Sequence, residues 1–422
     1  MKPQTVFQPA DILLPKEGNL TQWSVVACDQ YTSQPEYWEE AEKIVGNAPS
    51  TLRLTLPELY LDQPDTDQRI AGICNAMKEY LADNLFQCYP HSCIYLERTL
   101  ADGRVRKGLV GCIDLECYDY HKGACSPVRA TEGTVMERIP PRLRVRKDAL
   151  LELPHIMMLL DDPEQTVIEP LSRKTANLKK AYDFTLMQNS GSIKGWVASG
   201  EAYRPVAEAL DALADSRRLD TLYGSHEHPL LFAVGDGNHS LATAKEAFEL
   251  IKQRLPQEQW ERHPARWALV ELVNLHDSAL VFEPIHRAVF QVNPDALLSR
   301  MKDALGAASE MEPALQKVHY ITAAGEGDLY LTRPCSQLTV GSLQQFLDDE
   351  LAEHGGRVDY IHGDQVAADL GRQPGCISFL LPPMEKSQLF PTVMADGALP
   401  RKPFSMGHAC DKRFYLEARK VR

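Results

Sequence analysis

The run from Pro229 to Leu255 constrains this chain more than any other stretch. Pro229-Leu230-Leu231-Phe232-Ala233-Val234 is an unbroken apolar segment of strand length, the pattern of a strand buried on both faces. Gly235-Asp236-Gly237-Asn238-His239-Ser240 follows, and its glycines permit backbone angles that other residues avoid. Leu241, Ala244, Phe248, Ile251 and Leu255 then recur at helical spacing and predict a helix of about four turns. A buried strand passing into a helix through a glycine turn belongs to α/β (α+β) architecture.

The flanking segments fit the same class. Trp38, Ala41 and Val45 predict a helix after Pro35, and Ile70, Ile73, Met77, Leu81 and Leu85 predict a longer one. Ser92 to Leu100 and Val105 to Cys117 read as a hairpin around the Asp102-Gly103 turn. An arginine-dense segment runs from Arg129 to Arg146, with Pro140-Pro141 inside it, and its ordinary reading is a solvated basic loop. Leu150 to Leu160 reads as a strand, and Val206, Leu210 and Leu213 stripe a helix. Trp267 to Leu275 and Leu280 to Phe282 read as strands, the latter ending in Pro284-Ile285-His286-Arg287.

Beyond residue 294 the texture changes to a helix, a hairpin near Gly325, a helix from Leu343, a strand at Cys376 to Leu381 and a last helix around Leu389. The expected division is 1–125, 126–293 with the glycine-rich loop, and 294–422. For 422 residues, two or three domains are the sensible number.

Composition narrows the partners. A net charge of -13 disfavours non-specific attraction to nucleic acid or an anionic membrane. No stretch reaches the roughly 20 apolar residues of a membrane span, and the first residues lack a signal-peptide core. A cytoplasmic location is expected, with the oligomeric state open. The 10 cysteines form no C-x-x-C pair and read as free thiols.

Three groups of residues carry chemistry. The amino end of the helix after Gly237 leaves backbone N–H groups unpaired and adds partial positive charge, which suits a phosphate. Asn238 and Ser240 are capping types, His239 can donate to phosphate or move a proton, and Asp236 can accept a proton or hold a divalent ion. The competing reading is an ordinary strand-to-helix turn. His286 and Arg287 suit an oxyanion or phosphate, against a buried histidine beside a salt bridge. His226 and His228, with Asp236 and His239, form the third group and would serve a metal-dependent hydrolase.

Taken together these segments resemble the prokaryotic domain-of-unknown-function family 1015, related to the ParB/sulfiredoxin-like fold and to nucleotide-dependent free serine kinases. Asp236-Gly237-Asn238-His239-Ser240 is similar to its Asp-Gly-His-His-Arg-like motif, with Asn238 for the first histidine and Ser240 for the arginine. Arg129-Ala130-Thr131-Glu132-Gly133-Thr134 resembles Arg-x-His-Glu-x-Thr, and Pro284-Ile285-His286-Arg287 resembles Pro-Thr-His-Arg. Leu399-Pro400-Arg401-Lys402 resembles a near-terminal Met-Pro-Arg-Lys, and Cys28-Asp29 stands where the family has Tyr-Asp.

The resemblance implies a ParB/sulfiredoxin-like mixed-sheet core with an additional α+β C-terminal part. It also implies transfer of a phosphoryl group from ATP or ADP, with Mg, to a small hydroxyl metabolite such as serine. In that reading Gly237, Asn238, His239 and Ser240 hold phosphate oxygens. Asp236 binds Mg or the hydroxyl, and Glu132 or Asp236 deprotonates it. Arg129, His286, Arg287, Arg401 and Lys402 neutralise phosphate charge. Loss of the motif's arginine leaves a second expectation open, a nucleotide-binding regulatory module without catalysis.

Overall fold

A computed structural model describes residues 6–121, 123–134, 136–224, 227–306, 316–400 and 402–422. The chain forms two compact units. Unit 1 takes residues 1–130, 134–280 and 408–422, and unit 2 takes 131–133 and 281–407.

Unit 1 is built on a mixed sheet that is eleven-stranded among the described residues. Its main strands are β1 (Phe86–Thr99), β2 (Val105–Asp114), β3 (Val128–Ala130), β4 (Met157–Leu160), β5 (Lys179–Thr185), β6 (Ser192–Ser199), β7 (Phe232–Asp236) and β8 (Trp267–Asn274). They lie in the order β5-β6-β1-β2-β8-β4-β7-β3, with Tyr118–Asp119 beyond β3, and Phe7–Gln8 and Ala10–Pro15 pairing with β2 and β1. β7 runs parallel to β3 and antiparallel to β4, while β8 runs parallel to β4 and antiparallel to β2.

Alternation along the strands explains why both faces are covered. Leu109 and Ile113 of β2 enter one apolar cluster, and Val110 and Cys112 enter the other. Ala268, Val270 and Leu272 of β8 share the first cluster, and Leu269 belongs to the second. The helices supply the cover. α1 (Pro35–Val45) buries Trp38, Ala41 and Val45, and α2 (Thr66–Ala82) buries Ile73 and Met77, as their spacing predicts. α3 (Ile139–Arg146) has proline in its first turn, where a missing N–H costs nothing. α4 (Arg204–Leu213) buries Val206, and α5 (Asn238–Lys252) buries Leu241, Ala244 and Phe248.

Unit 2 carries a second mixed α/β arrangement. Its strands are β9 (Phe282–Phe290), β10 (Gln316–Thr322), β11 (Gly325–Leu331), β12 (Arg357–His362) and β13 (Cys376–Leu380), in the order β11-β10-β13-β9-β12. Helices α6 (Pro294–Leu305) and α7 (Thr339–His354) bury Leu297, Met301, Leu343 and Leu347.

The α/β class expected from sequence is therefore the class observed, while several local expectations need correction. Leu150 to Leu160 is two strands, Leu151–Glu152 and β4, because Pro154 offers no N–H to a ladder. The Arg129–Arg146 segment is not one solvated loop: Arg129 lies in β3 and Arg142 to Arg146 in α3. Pro284-Ile285-His286-Arg287 sits within β9 rather than at a strand end. The expected three-part division groups residues differently from the two units, since β1 and β2 from 1–125 join β8 and β4 from 126–293 in one sheet. The ten cysteines are free thiols, and Cys93, Cys112, Cys117 and Cys376 are buried. Among the described residues no helix is long and apolar enough to cross a membrane.

Candidate functional site

The site grows out of the junction between β7 and α5. The β7–β4 ladder is irregular between Val234 and Asp236, where Asp236 faces Met157. The chain then turns through Gly237, whose φ of +84 favours a residue without a side chain. A Cβ at Gly237 would also lie 3.1 Å from the Cα of Ile156, so the turn is pressed against the Pro154-His155-Ile156 segment. Gly237 is itself the N-cap of α5 and contributes no side-chain cap. The sequence reading of Asn238 and Ser240 as caps is corrected here. Asn238 is the first helical residue, and Ser240 turns its hydroxyl to another partner.

That partner is His155, 5% exposed. Its Nε2 lies 2.9 Å from Ser240 Oγ, and its Nδ1 lies 2.7 Å from the Tyr415 hydroxyl. The Tyr415 oxygen accepts the Cys28 backbone N–H at 3.3 Å. Burial raises the Tyr415 pKa well above its ordinary value, so the phenol stays protonated. The two ring nitrogens of His155 are thus held between the Tyr415 and Ser240 hydroxyls. Asp29 Oδ2 stands 3.8 Å from the same nitrogen. Burial opposes ionisation of Asp29, but His155, the Gln30 amide and Lys412 outweigh it and hold its pKa below the usual carboxylate value.

Cations frame this cluster. Lys412 Nζ is 3.4 Å from Asp236 Oδ2, while Asp236 Oδ1 accepts the Gly237 N–H at 3.0 Å. Arg142 of α3 pairs with Glu58, whose own pKa burial raises. His239, the second residue of α5, is pushed down to about 4 by burial first and then by the charges of Arg142 and Arg138. It is therefore a neutral imidazole at neutral pH. Near the amino end of α5, then, stand Lys412, paired with Asp236, Arg142, paired with Glu58, and the charges of Arg138 and Asp29.

Beside it lies a cavity of about 870 Å³, counting its open mouth. Cys28, His155, Ser240 and Tyr415 line it together with the charged Glu58, Arg142, Arg146 and Glu152, and leucines from several elements form much of the rest. The thiol of Cys28 is raised by burial and by the neighbouring Asp29 and Glu58 charges, so it is not a thiolate nucleophile.

The remaining sequence candidates fall elsewhere. Arg129 is buried in unit 1, with Nε donating to Ser126 O at 2.8 Å and Nη2 to His228 O at 2.7 Å. Glu132, His286, Arg287 and Lys402 belong to unit 2. There His286 Nδ1 accepts the Leu381 N–H at 3.1 Å, so its Nε2 proton faces Asp364 at 2.8 Å. Arg287 is fully buried, donates to Gln344 and to the Lys402 carbonyl, and packs 4.9 Å from the Tyr360 ring centre. Burial lowers its pKa to about 10. Lys402 Nζ lies 5.0 Å from the same ring. Glu132 forms a β-bridge with Leu399. Arg401 and His226 lie outside the described residues.

Sequence reasoning missed His155, Tyr415, Lys412, Arg142 and Glu58. Only His155 left a local signal, a polar residue after proline inside an apolar run. For a metal, the donors do not fit a protein-built cage. Both Asp236 oxygens are engaged, and among the described residues no group of three His, Cys, Asp or Glu side chains could hold an ion.

The model of a family described as "Protein of unknown function (DUF1015)" matches residues 8–350. Curated proteins give no match. Among solved structures, a conserved hypothetical protein from Pyrococcus furiosus is 10% identical, with TM-score 0.35, covering 74% of this chain and 94% of that one. SbnI with a C-terminal truncation, from Staphylococcus aureus, is 8% identical, with TM-score 0.35, covering 73% and 82%. A free serine kinase variant in complex with ADP is 9% identical, with TM-score 0.37, covering 76% and 93%. Likenesses this loose carry no residue-level correspondence.

Proposed function

The chain belongs to the DUF1015 family, and on that premise we propose that unit 1 is a nucleotide-dependent phosphotransferase acting on a small hydroxyl metabolite, with serine the first acceptor to test. One observation carries the reading: the amino end of the fifteen-residue α5, uncapped by any side chain of its N-cap residue, meets the fields of Lys412, Arg142 and Arg138 beside an ionised Asp29. Phosphoryl transfer is largely positioning and charge stabilisation, and such a site supplies both.

In this reading the helix amides and Lys412 hold the terminal phosphates of ATP or ADP. The acceptor oxygen attacks the terminal phosphorus, the bond from that phosphorus to the bridging oxygen breaks, and the hydroxyl proton passes to Asp29. His155 keeps Ser240 and the acceptor in register, and Tyr415 fixes the orientation of its ring. Asp29 thus takes the role that the sequence resemblance gave to Glu132 or Asp236. Any Mg would arrive on the nucleotide's own phosphates, because the protein groups present do not form a cage for it.

The experiment is incubation of the full chain with Mg and ATP or ADP plus serine, reading phosphoserine and nucleotide turnover, with thermal shift for binding. Product formation is expected. A complete lack of thermal shift with either nucleotide overturns the reading. A second reading, nucleotide binding without catalysis, is favoured by Ser240, which stands where the motif has arginine and is engaged with His155. It predicts tight nucleotide binding without product for any acceptor.

A further inference from the structure

We infer, building on the phosphotransferase reading, that the acceptor is a primary alcohol with an uncharged hydrocarbon body, seated in the cavity behind Ser240 and His155. The chemistry of the walls points there. Leu54, Leu56, Met77, Leu151 and Leu269 line the cavity, and each of them is buried.

The charges at the cavity come already matched. Arg142 pairs with Glu58, and Arg146 pairs with Glu152, which also receives Arg419 at 2.8 Å. A free amino acid brings an ammonium and a carboxylate, and each would have to break one of these pairs or stay unpaired out of water, which is costly. A hydroxyl needs far less. The His155–Ser240–Tyr415 chain offers hydrogen-bonding groups in the cavity wall, and the aliphatic part of the wall takes the remainder of the ligand. The product is the alcohol's phosphate monoester, formed by the bond exchange given above, with the hydroxyl proton on Asp29.

The test is calorimetric titration of the full chain with serine and with straight-chain primary alcohols from butan-1-ol to octan-1-ol, each with and without ADP. Burial of one methylene is worth about fourfold in affinity, so affinity should climb by about that factor per carbon, with serine weaker than the alcohols. Val145→Trp should remove the chain-length dependence in protein that still melts cooperatively, because Val145 lines the cavity from the half-buried side of α3. Thr55→Trp, at another half-buried lining position, serves if the first variant does not fold.

A flat series, or a series unchanged by both substitutions, overturns the inference. Outcomes for the two readings separate cleanly. Nucleotide binding with phosphorylation of serine and no alcohol binding removes the apolar acceptor and leaves the phosphotransferase. Alcohol binding that steepens with chain length, without any nucleotide binding, keeps the cavity as a ligand site and removes phosphoryl transfer.

Discussion

Two regions of this chain look alike in sequence and differ in what surrounds them. Asp236 to Ser240 and Pro284 to Arg287 both carry a histidine beside groups suited to an anion. In unit 2, His286 and Arg287 lie within β9, 1% and 0% exposed, with backbone groups, the Gln344 amide and the Asp364 carboxylate as partners. In unit 1, His239 and Ser240 are half-buried at a helix start, beside a cavity and a cluster of charged groups. The residue types therefore do not separate a sealed cluster from one that borders a cavity. Burial and the partner set do.

The largest effect should come from Arg287→Ala. It leaves Gln344 and two backbone carbonyls without their donor inside the core, a cost of about 3 kcal/mol. Urea unfolding should show it, with nucleotide affinity unchanged once the folded fraction is accounted for. Full stability with lost nucleotide affinity would instead make Arg287 a phosphate ligand and collapse the contrast.

Asp29→Asn tests the other region. Removing a general base slows transfer by about 100-fold or more, while the half-buried side chain should leave the urea midpoint nearly in place. An equal loss of stability and rate would class Asp29 with Arg287. Lys412→Met should then weaken nucleotide binding about tenfold, with a flatter dependence on salt. Affinity that responds to salt as in the parent protein would take Lys412 out of the phosphate site.

The smallest effect concerns acid. His239 titrates near 4 in the folded chain against an ordinary 6.5, so the unfolded chain binds a proton first as pH falls. Stability from this group is full above about 6.5 and drains as pH drops toward 4. His239→Gln should flatten that part of the profile between pH 7 and 4.5 in urea titrations. A profile identical to the parent's would mean His239 is solvated.

Much of the scaffold could be read without coordinates because it rests on local periodicity. α1, α2 and α5 follow from apolar spacing, and the β7-to-α5 turn follows from its glycines. The site could be read only in part, for a geometric reason. Ser240 and His155 are 85 positions apart, and His155 and Tyr415 are 260 apart. Nothing in a local pattern links them. Arg129 misled for the opposite reason: its fork of donors suits phosphate, yet two carbonyls in the same unit consume it.

The segment 408–422 returns to unit 1 after the chain has left to build unit 2. It brings Lys412 to Asp236 and Tyr415 to His155. On the ribosome, then, every other part of the pocket can be synthesised while its imidazole still lacks the phenol that orients it. A nascent chain stalled before residue 412 would hold neither group, so assembly of the candidate site is a late event of translation, timed by the order of synthesis.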